Sequence, residues 1–575
     1  MNNIKITFTN RNHTDWILSN SETHNQIHID NFNPCEYKIF SNDIFSFENN
    51  TLSITHSTIR NCDNIPAVLV LENNKTFGSY KNKHLYKCIP DDTRLPIFLV
   101  PYEIKHLGFS KHLINIYVTI KYDSWNDKHP RAYIMQNIGN VDTPANFYEY
   151  QLYCKSLNSS IQKFNKDVNK LLRDTNYDNI VNNILNDSKY KVEDRTHICA
   201  FSIDPMSSLD YDDAFSIETI SENKTKISIY IANVTILIDT LSLWASFSHR
   251  VATIYLPDRK RPMLPTLLSD KLSSLQAGTK RFAFVMDIII EDNTICDLIY
   301  SNCVVSIYKN FTYESNDLLN FDKYKQLFTT SKTLFKKYKY MQKLEDSHDV
   351  VAYLMTLMNH YCALDLKTYN NGIFRSTTEI EEANLIDKNN IPQDIPHDVI
   401  HFIHSWQNTC GQYINIENME DKNIPHKLLG LDAYTHITSP IRRLVDILNL
   451  IKFQKNHNLF LLSEHSTTFY NDWIGKLDYI NTSMRSIRKI QNTCSLLHEC
   501  TTNTNILEQQ YDGYCFDKIS RNDGLFQYNI YLPQLKIASK LVSRENIPNF
   551  NKSLYKLCLF TNEETLKKKI RLCKL

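Results

Sequence analysis

The sequence predicts a multidomain α+β protein in which small OB-type β-barrels flank a large α+β body. Three observations predict it. Short apolar runs, broken at even intervals by Asn, Asp and Pro, fill residues 1–145 and return after residue 505. Between them lie long strand-like stretches and then helical periodicity up to residue 500. The chain has 575 residues, enough for about three or four domains.

Residues 1–60 read as a first small barrel, with alternating runs such as Ile4–Phe8 and 51–55. Residues 61–145 read as a second, with strands near 65–71, 85–89, 97–101, 113–121 and 131–134. Such short, evenly spaced strands suit an oligonucleotide-binding barrel, and equally a barrel that binds nothing. Residues 146–198 turn helical and polar, with Tyr148, Leu152, Leu157, Ile161 and Phe164 at loosely helical spacing, and read as a linker. Residues 199–500 form the main body. A long apolar run at 226–238 reads as a central strand, and 282–290 as another. Helices are expected at 352–366, 398–413, 441–453 and 472–497. Residues 505–575 return to strands and end in the basic run Lys567-Lys-Lys-Ile-Arg571.

With 64 basic and 63 acidic residues the net charge is only +1. A nucleic-acid partner must then be held by a local basic channel, not by bulk charge. Fourteen cysteines carry no C-x-x-C pair, which argues against a zinc site and for free thiols in a reducing compartment. No apolar run reaches signal-peptide or membrane-spanning length, so the expectation is a soluble, intracellular protein with no membrane partner.

The chemistry concentrates at residues 201–217, where Asp204, Asp210, Asp212 and Asp213 crowd together. Carboxylates this close repel unless a cation neutralises them, and hard divalent ions with oxygen ligands are the natural partners. Asp210 and Asp212 face the same way on an extended backbone, and Asp213 points elsewhere. A solvated acidic turn fits the same residues.

A second segment, Ala433-Tyr-Thr-His-Ile-Thr-Ser-Pro-Ile-Arg-Arg443, predicts a helix capped by Ser439 with Pro440 in its first turn. Arg442 and Arg443 would then sit at the positive end of the helix dipole. That arrangement suits an anion bound there, or arginines that pair with acidic neighbours.

The acidic stretch, the Tyr255-Leu-Pro to Pro262-Met-Leu-Pro265 run and the Ser-Pro-Ile-Arg-Arg segment occur in the order of the ribonuclease II/R (RNB) family, and the chain resembles a member. Upstream, Cys88-Ile-Pro-Asp-Asp-Thr-Arg-Leu-Pro96, Trp125 with His129-Pro130, and Ile138-Gly139 resemble the second cold-shock barrel and linker of the eukaryotic exosome exonuclease. The resemblance implies cold-shock-like barrels at 1–60 and 61–145, an RNB catalytic domain at 199–500 and an S1-like barrel at 505–575. It implies a processive 3′-to-5′ exoribonuclease that hydrolyses single-stranded RNA to nucleoside 5′-monophosphates with Mg²⁺, or Mn²⁺ in its place. By position, Asp204, Asp210, Asp212 and Asp213 match the family's metal-site aspartates, Asp212 the one indispensable for cleavage, and Arg442 the catalytic arginine. Tyr255 matches an aromatic that stacks on the 3′-terminal base, and Arg443 is assigned to RNA binding beside it.

The chain departs from the family at Tyr230-Ile-Ala-Asn-Val234, where His-Ile-Ala-Asp-Val is usual, and at Gln491, where a Glu is common. Further expectations are a monomeric, cytoplasmic enzyme, with the nucleus as the other compartment open to it, and no exosome tethering through an endonuclease domain. The competing reading is a catalytically inactive RNA-binding regulator on the same scaffold, which would be expected to lose at least one of the four aspartates or Arg442. A nuclease acting on DNA has little support.

Overall fold

The computed structural model describes residues 3–30, 32–104, 113–173, 177–341, 343–376, 392, 394–408, 411–418, 424–426, 429–521 and 523–575. The chain divides into two compact units. One comprises residues 1–158, 256–258 and 486–575, and the other 159–255 and 259–485.

In the first unit, alternation explains the opening sheet. Ile4, Ile6 and Phe8 are buried while Lys5 and Thr7 between them are half-buried, as expected where side chains alternate across a pleat. Ile4–Phe8 pairs with Trp16–Asn20 and Ile44–Glu48 in a five-stranded antiparallel sheet. The next sheet closes on itself, because Ile65–Leu69 pairs both with Ile116–Ser124 and with Lys83–Pro90. Among the described residues, closure leaves only the two-residue strand Ser79–Tyr80 at an edge. Its core is built from Leu69, Tyr86, Phe98 and Val118, and Phe40 from the preceding segment packs into it. A third, five-stranded antiparallel sheet runs from Tyr511–Ser520 to Lys568–Lys574. The two ends of the chain thus share a unit. The Arg11 guanidinium donates to the carbonyls of Leu95 and Pro90, and Lys567 and Lys568 pair with Asp91 and Asp142 of the closed barrel.

The second unit is built on a sheet of Ala200–Asp204, Asp213–Ser221, Lys224–Ala232, Lys280–Glu291 and Thr294–Thr312. It also closes, since Thr294–Thr312 pairs with both Ala200–Asp204 and Lys280–Glu291. Helices Asp322–Lys337, Ser347–Thr368 and Leu444–Asn456 share one core with it, through Leu327, Leu354, Leu357 and Phe453 against Phe201, Ile229 and Met286. The fold is therefore the expected α+β body with β-barrel sheets before and after it in the chain.

Four elements differ from expectation. The apolar run 226–238 is not one strand: Lys224–Ala232 is extended and Val234–Thr240 is helical. A fully buried apolar run carries no period to separate the two. The break falls at Asn233, whose side-chain amide donates to Asn302 and Gln454 at 2.9 and 3.0 Å. Thr294–Thr312 is a single strand longer than any expected, half-buried or exposed up to Tyr300 and buried over 301–305. The region 472–497 is two helices, Glu464–Ile474 and Leu477–Thr502, parted at Gly475. The expected helix at 398–413 is His397–Asn408 followed by the strand Gln412–Asn415, with 409 and 410 outside the described residues.

One buried ion pair stiffens this sheet. Arg195 donates to both oxygens of Asp287 at 2.9 and 2.8 Å and to Ser301 at 3.1 Å, with its side chain 10% and that of Asp287 6% exposed. Breaking such a pair strands a charge, whereas replacing both partners by apolar groups often does not. Arg195→Met is expected to destabilise the protein by about 3–5 kcal/mol. The Arg195→Met/Asp287→Leu double variant should recover most of that loss, as read from urea unfolding midpoints.

Candidate active site

All seven site residues expected from the sequence line one open cleft of about 860 Å³ within the second unit: Asp204, Asp210, Asp212, Asp213, Tyr255, Arg442 and Arg443. Local structure explains how the aspartates arrive. Asp204 ends the strand Ala200–Asp204 and Asp213 begins Asp213–Ser221, so both lie at one end of the sheet. The intervening loop is pinned by backbone and side-chain bonds. Tyr211 donates its N–H to Ser274 Oγ at 2.9 Å and accepts from Leu275 N–H at 3.0 Å, and Ala232 N–H donates to the Asp212 carbonyl at 2.8 Å.

The arginine segment differs from expectation. The helix begins at Leu444, with Arg443 as its extended N-cap residue, and Ser439 to Arg442 form a turn ahead of it. Two interactions hold residues 442 and 443 out of the helix. They pair with the segment 251–253, through Thr253 N–H to Arg442 O and Leu444 N–H to Val251 O. Ser439 N–H is tied to Asp446 Oδ1 at 2.7 Å. The arginines therefore do not sit in the first helical turn, and the dipole argument for an anion there does not apply. Both pair with acids. Arg443 Nη2 donates to Asp446 Oδ1 at 2.8 Å, while Arg442 Nε donates to Asp212 Oδ2 at 3.1 Å and its Nη2 to Ser439 Oγ at 3.0 Å. The Arg442 side chain remains 46% exposed to the cleft.

This divides the four aspartates. Asp212, 4% exposed, accepts from Ile441 N–H at 2.9 Å and from Arg442. Burial pushes its carboxyl up to about 7, with the Arg442 charge and the Ile441 N–H pulling the other way. Asp210 accepts from the Tyr255 hydroxyl at 3.2 Å and lies 3.3 Å from Lys260 Nζ. Asp204 and Asp213 each keep a buried Oδ2 with no hydrogen-bond partner. Burial raises both above the usual carboxylate range, and in Asp213 the charges of Asp204 and Asp212 add to it. Among the described residues no group of three or more His, Cys, Asp or Glu side chains is gathered tightly enough to hold a metal ion, so the four aspartates do not form one ligand cluster. Two orphaned carboxylate oxygens at the wall of an open cleft still fit Mg²⁺, which is commonly held by one or two carboxylates with waters and substrate phosphates completing its shell.

Several cleft residues were not picked out from the sequence. Asn359 accepts from Ile437 N–H at 3.0 Å and donates to Tyr434 and Thr438 at 3.1 and 3.3 Å, locking the extended segment before the turn. Tyr434, His436 and Thr438 line the cleft at every second position, the one signal that could have revealed them. Tyr313 lines it as well, stacked on His348 at 3.6 Å.

The departures noted in the sequence have structural explanations. Tyr230 is fully buried with its hydroxyl 3.0 Å from Ser216 Oγ, and Asn233 is fully buried in its amide network. Tyr230→Phe is expected to lower stability by about 1 kcal/mol, measurable as a small shift in the urea midpoint. Gln491 lies half-buried on Leu477–Thr502.

The stretch that carries this cleft is similar to known proteins. The RNB domain model matches residues 192–323 and 315–455. Exosome complex exonuclease RRP44 of mouse is 26% identical over 170 residues, which cover 29% of this chain and 17% of that protein. Among solved structures, RNase R of Mycoplasma genitalium in complex with ribose-methylated single-stranded RNA superposes with a TM-score of 0.64 at 14% identity, covering 100% of both chains. Yeast Ssd1, described as a pseudonuclease, superposes with a TM-score of 0.56 at 11% identity over 96% of this chain and 80% of that one. These likenesses show the fold, and the aligned stretch is a small part of the mouse protein's length. Residues 192–455, a little under half of the chain, carry an RNB domain, and every residue that lines the cleft lies within that stretch.

Proposed function

We infer that the cleft hydrolyses single-stranded RNA from its 3′ end, releasing nucleoside 5′-monophosphates, with Mg²⁺ or Mn²⁺ as cofactor. The observation that carries this reading is the convergence of Asp204, Asp210, Asp212, Asp213 and Arg442 on one cleft, two of the carboxylates with unpaired oxygens. Water adds to the last phosphorus, the bond from phosphorus to the 3′ oxygen of the preceding nucleotide breaks, and that oxygen takes a proton to become the new 3′-hydroxyl. Asp204 and Asp213 would hold a divalent ion, which would supply charge neutralisation at the phosphate and lower the pKa of the attacking water.

The chain's own groups do the rest. Arg442 presents an exposed guanidinium to the phosphate, where negative charge grows in the transition state. Asp212 holds that guanidinium by Nε, so the arginine is oriented before substrate arrives. Tyr255, 41% exposed, offers a ring face to the terminal base, a sequence-independent contact. The protein acts on this reading as a cytoplasmic monomer.

The pseudonuclease neighbour makes an inactive RNA-binding regulator the second reading. The intact set of four aspartates and Arg442 favours the enzyme. The test is a 5′-labelled, 3′-tailed RNA incubated with the protein and Mg²⁺. Progressive shortening with release of mononucleotides is expected, while EDTA stops the reaction and the same oligomer as DNA persists. RNA that is bound but stays intact would establish the regulator instead.

A further inference from the structure

Asp210 is clamped from one side by a two-residue hairpin. Tyr255 and Lys260 stand opposite each other on the paired strands Ile254–Tyr255 and Lys260–Arg261. Both reach the same carboxylate, the Tyr255 hydroxyl at Oδ2 and Lys260 Nζ at Oδ1. The ammonium is shared: it lies 3.0 Å from Asp270 Oδ1, which also accepts from Ser269 Oγ at 2.6 Å. The Lys260 side chain is 23% exposed and those of Asp210 and Asp270 are 12% and 11%, so solvent screens this triad weakly. All three of Asp210, Tyr255 and Lys260 line the cleft that holds the orphaned oxygens of Asp204 and Asp213.

An ammonium in this position acts twice against a divalent cation. It sits on Asp210 Oδ1 while the Tyr255 hydroxyl sits on Oδ2, so the carboxylate's charge is already partly neutralised and both its oxygens are engaged, and it places a positive charge beside the ion's site. We propose that Lys260 is a built-in counter-cation for Asp210 that weakens divalent-cation binding in the cleft and so sets the concentration at which the site loads. The proposal rests on the reading that Asp204 and Asp213 hold such an ion. It assigns Lys260 a positioning role, acting through Asp210. Asp270 competes for the same ammonium and draws it away from Asp210.

That sharing gives two substitutions with opposite effects. Lys260→Met removes the competing charge and frees Asp210. Asp270→Asn leaves the ammonium to Asp210 alone and tightens the clamp. General loosening of the cleft would move both variants the same way.

The experiment is Mn²⁺ binding to the full chain without RNA, read as free Mn²⁺ by electron paramagnetic resonance, beside thermal melts of each variant. Lys260→Met is expected to lower the Mn²⁺ Kd by about tenfold, from loss of one positive charge close to the ion. Asp270→Asn is expected to raise it by about threefold, and Lys260→Arg to stay near the parent value. Asp204→Asn is expected to raise it most. Lys260→Met with an unchanged Kd, while Asp204→Asn loses binding, would overturn the role of Lys260 and leave the cation site standing. A shift of Lys260→Met and Asp270→Asn in the same direction would overturn it too. Mn²⁺ binding that Asp204→Asn does not alter would overturn the cation site, and the role of Lys260 with it.

Discussion

Asp212→Asn is expected to slow RNA cleavage by about a thousandfold or more while the protein stays folded and still binds RNA. The side chain has two neighbours, and both are donors: Ile441 N–H at Oδ1 and Arg442 Nε at Oδ2. An asparagine matches the volume but supplies a single acceptor oxygen. Its amide NH₂ must then face either the Ile441 N–H or the guanidinium, donor against donor. Facing the peptide N–H strains the turn, so the arrangement that keeps the fold turns the NH₂ on Arg442 and releases it. The loss is then twofold in kind, a carboxylate removed from the cleft and an arginine no longer aimed. Single-turnover degradation of 3′-tailed RNA measures it, with filter binding and a thermal melt as controls. A variant that retains a tenth of the parent rate would show that Asp212 does not hold the reacting groups.

How much of this was legible in the sequence depends on the distance over which each feature is encoded. The alternation of Ile4, Ile6 and Phe8 is local and reads directly as a half-buried strand. The run through Asn233 is equally local but ambiguous, because a segment buried on every side has no polar face to reveal its period. The four aspartates were visible as a cluster, yet their division was not. That division depends on Arg442, some 230 positions away from Asp212, and on Lys260 and Tyr255, brought together by a hairpin only two residues deep on each side. Ser439-Pro440 reads as a helix start because the competing partners, Asp446 for the Ser439 N–H and the segment 251–253 for residues 442 to 444, act through tertiary pairing. The bland expectation for the arginines, that they pair with acids, described their partners correctly. For Arg442 that partner is itself a cleft carboxylate, so the pairing is part of the site.

Arg442→Lys is the second large effect, an expected loss of about a hundredfold to a thousandfold in the rate of cleavage with RNA affinity nearly unchanged. The backbone around residue 442 is fixed independently of the side chain, since Thr253 N–H donates to its carbonyl at 3.0 Å. Lysine therefore keeps the turn and the charge. It lacks the planar fork that lets Arg442 bond Asp212 through Nε and Ser439 through Nη2 while the rest of the guanidinium faces the cleft. A lysine ammonium must choose: paired with the buried carboxylate it is withdrawn from the phosphate, and extended to the phosphate it leaves Asp212 with only the Ile441 N–H. Transition-state stabilisation falls in either case, because a donor that must move as charge develops is worth less than one already aimed. If the cleft holds only the 3′ end of a longer strand, most of the RNA affinity should come from other contacts, and the defect is expected in the chemical step. Rapid-quench measurement at saturating protein separates the two. A lysine variant that cleaves at the parent rate would show that a positive charge suffices and that the fork geometry around Asp212 and Ser439 has no part in cleavage.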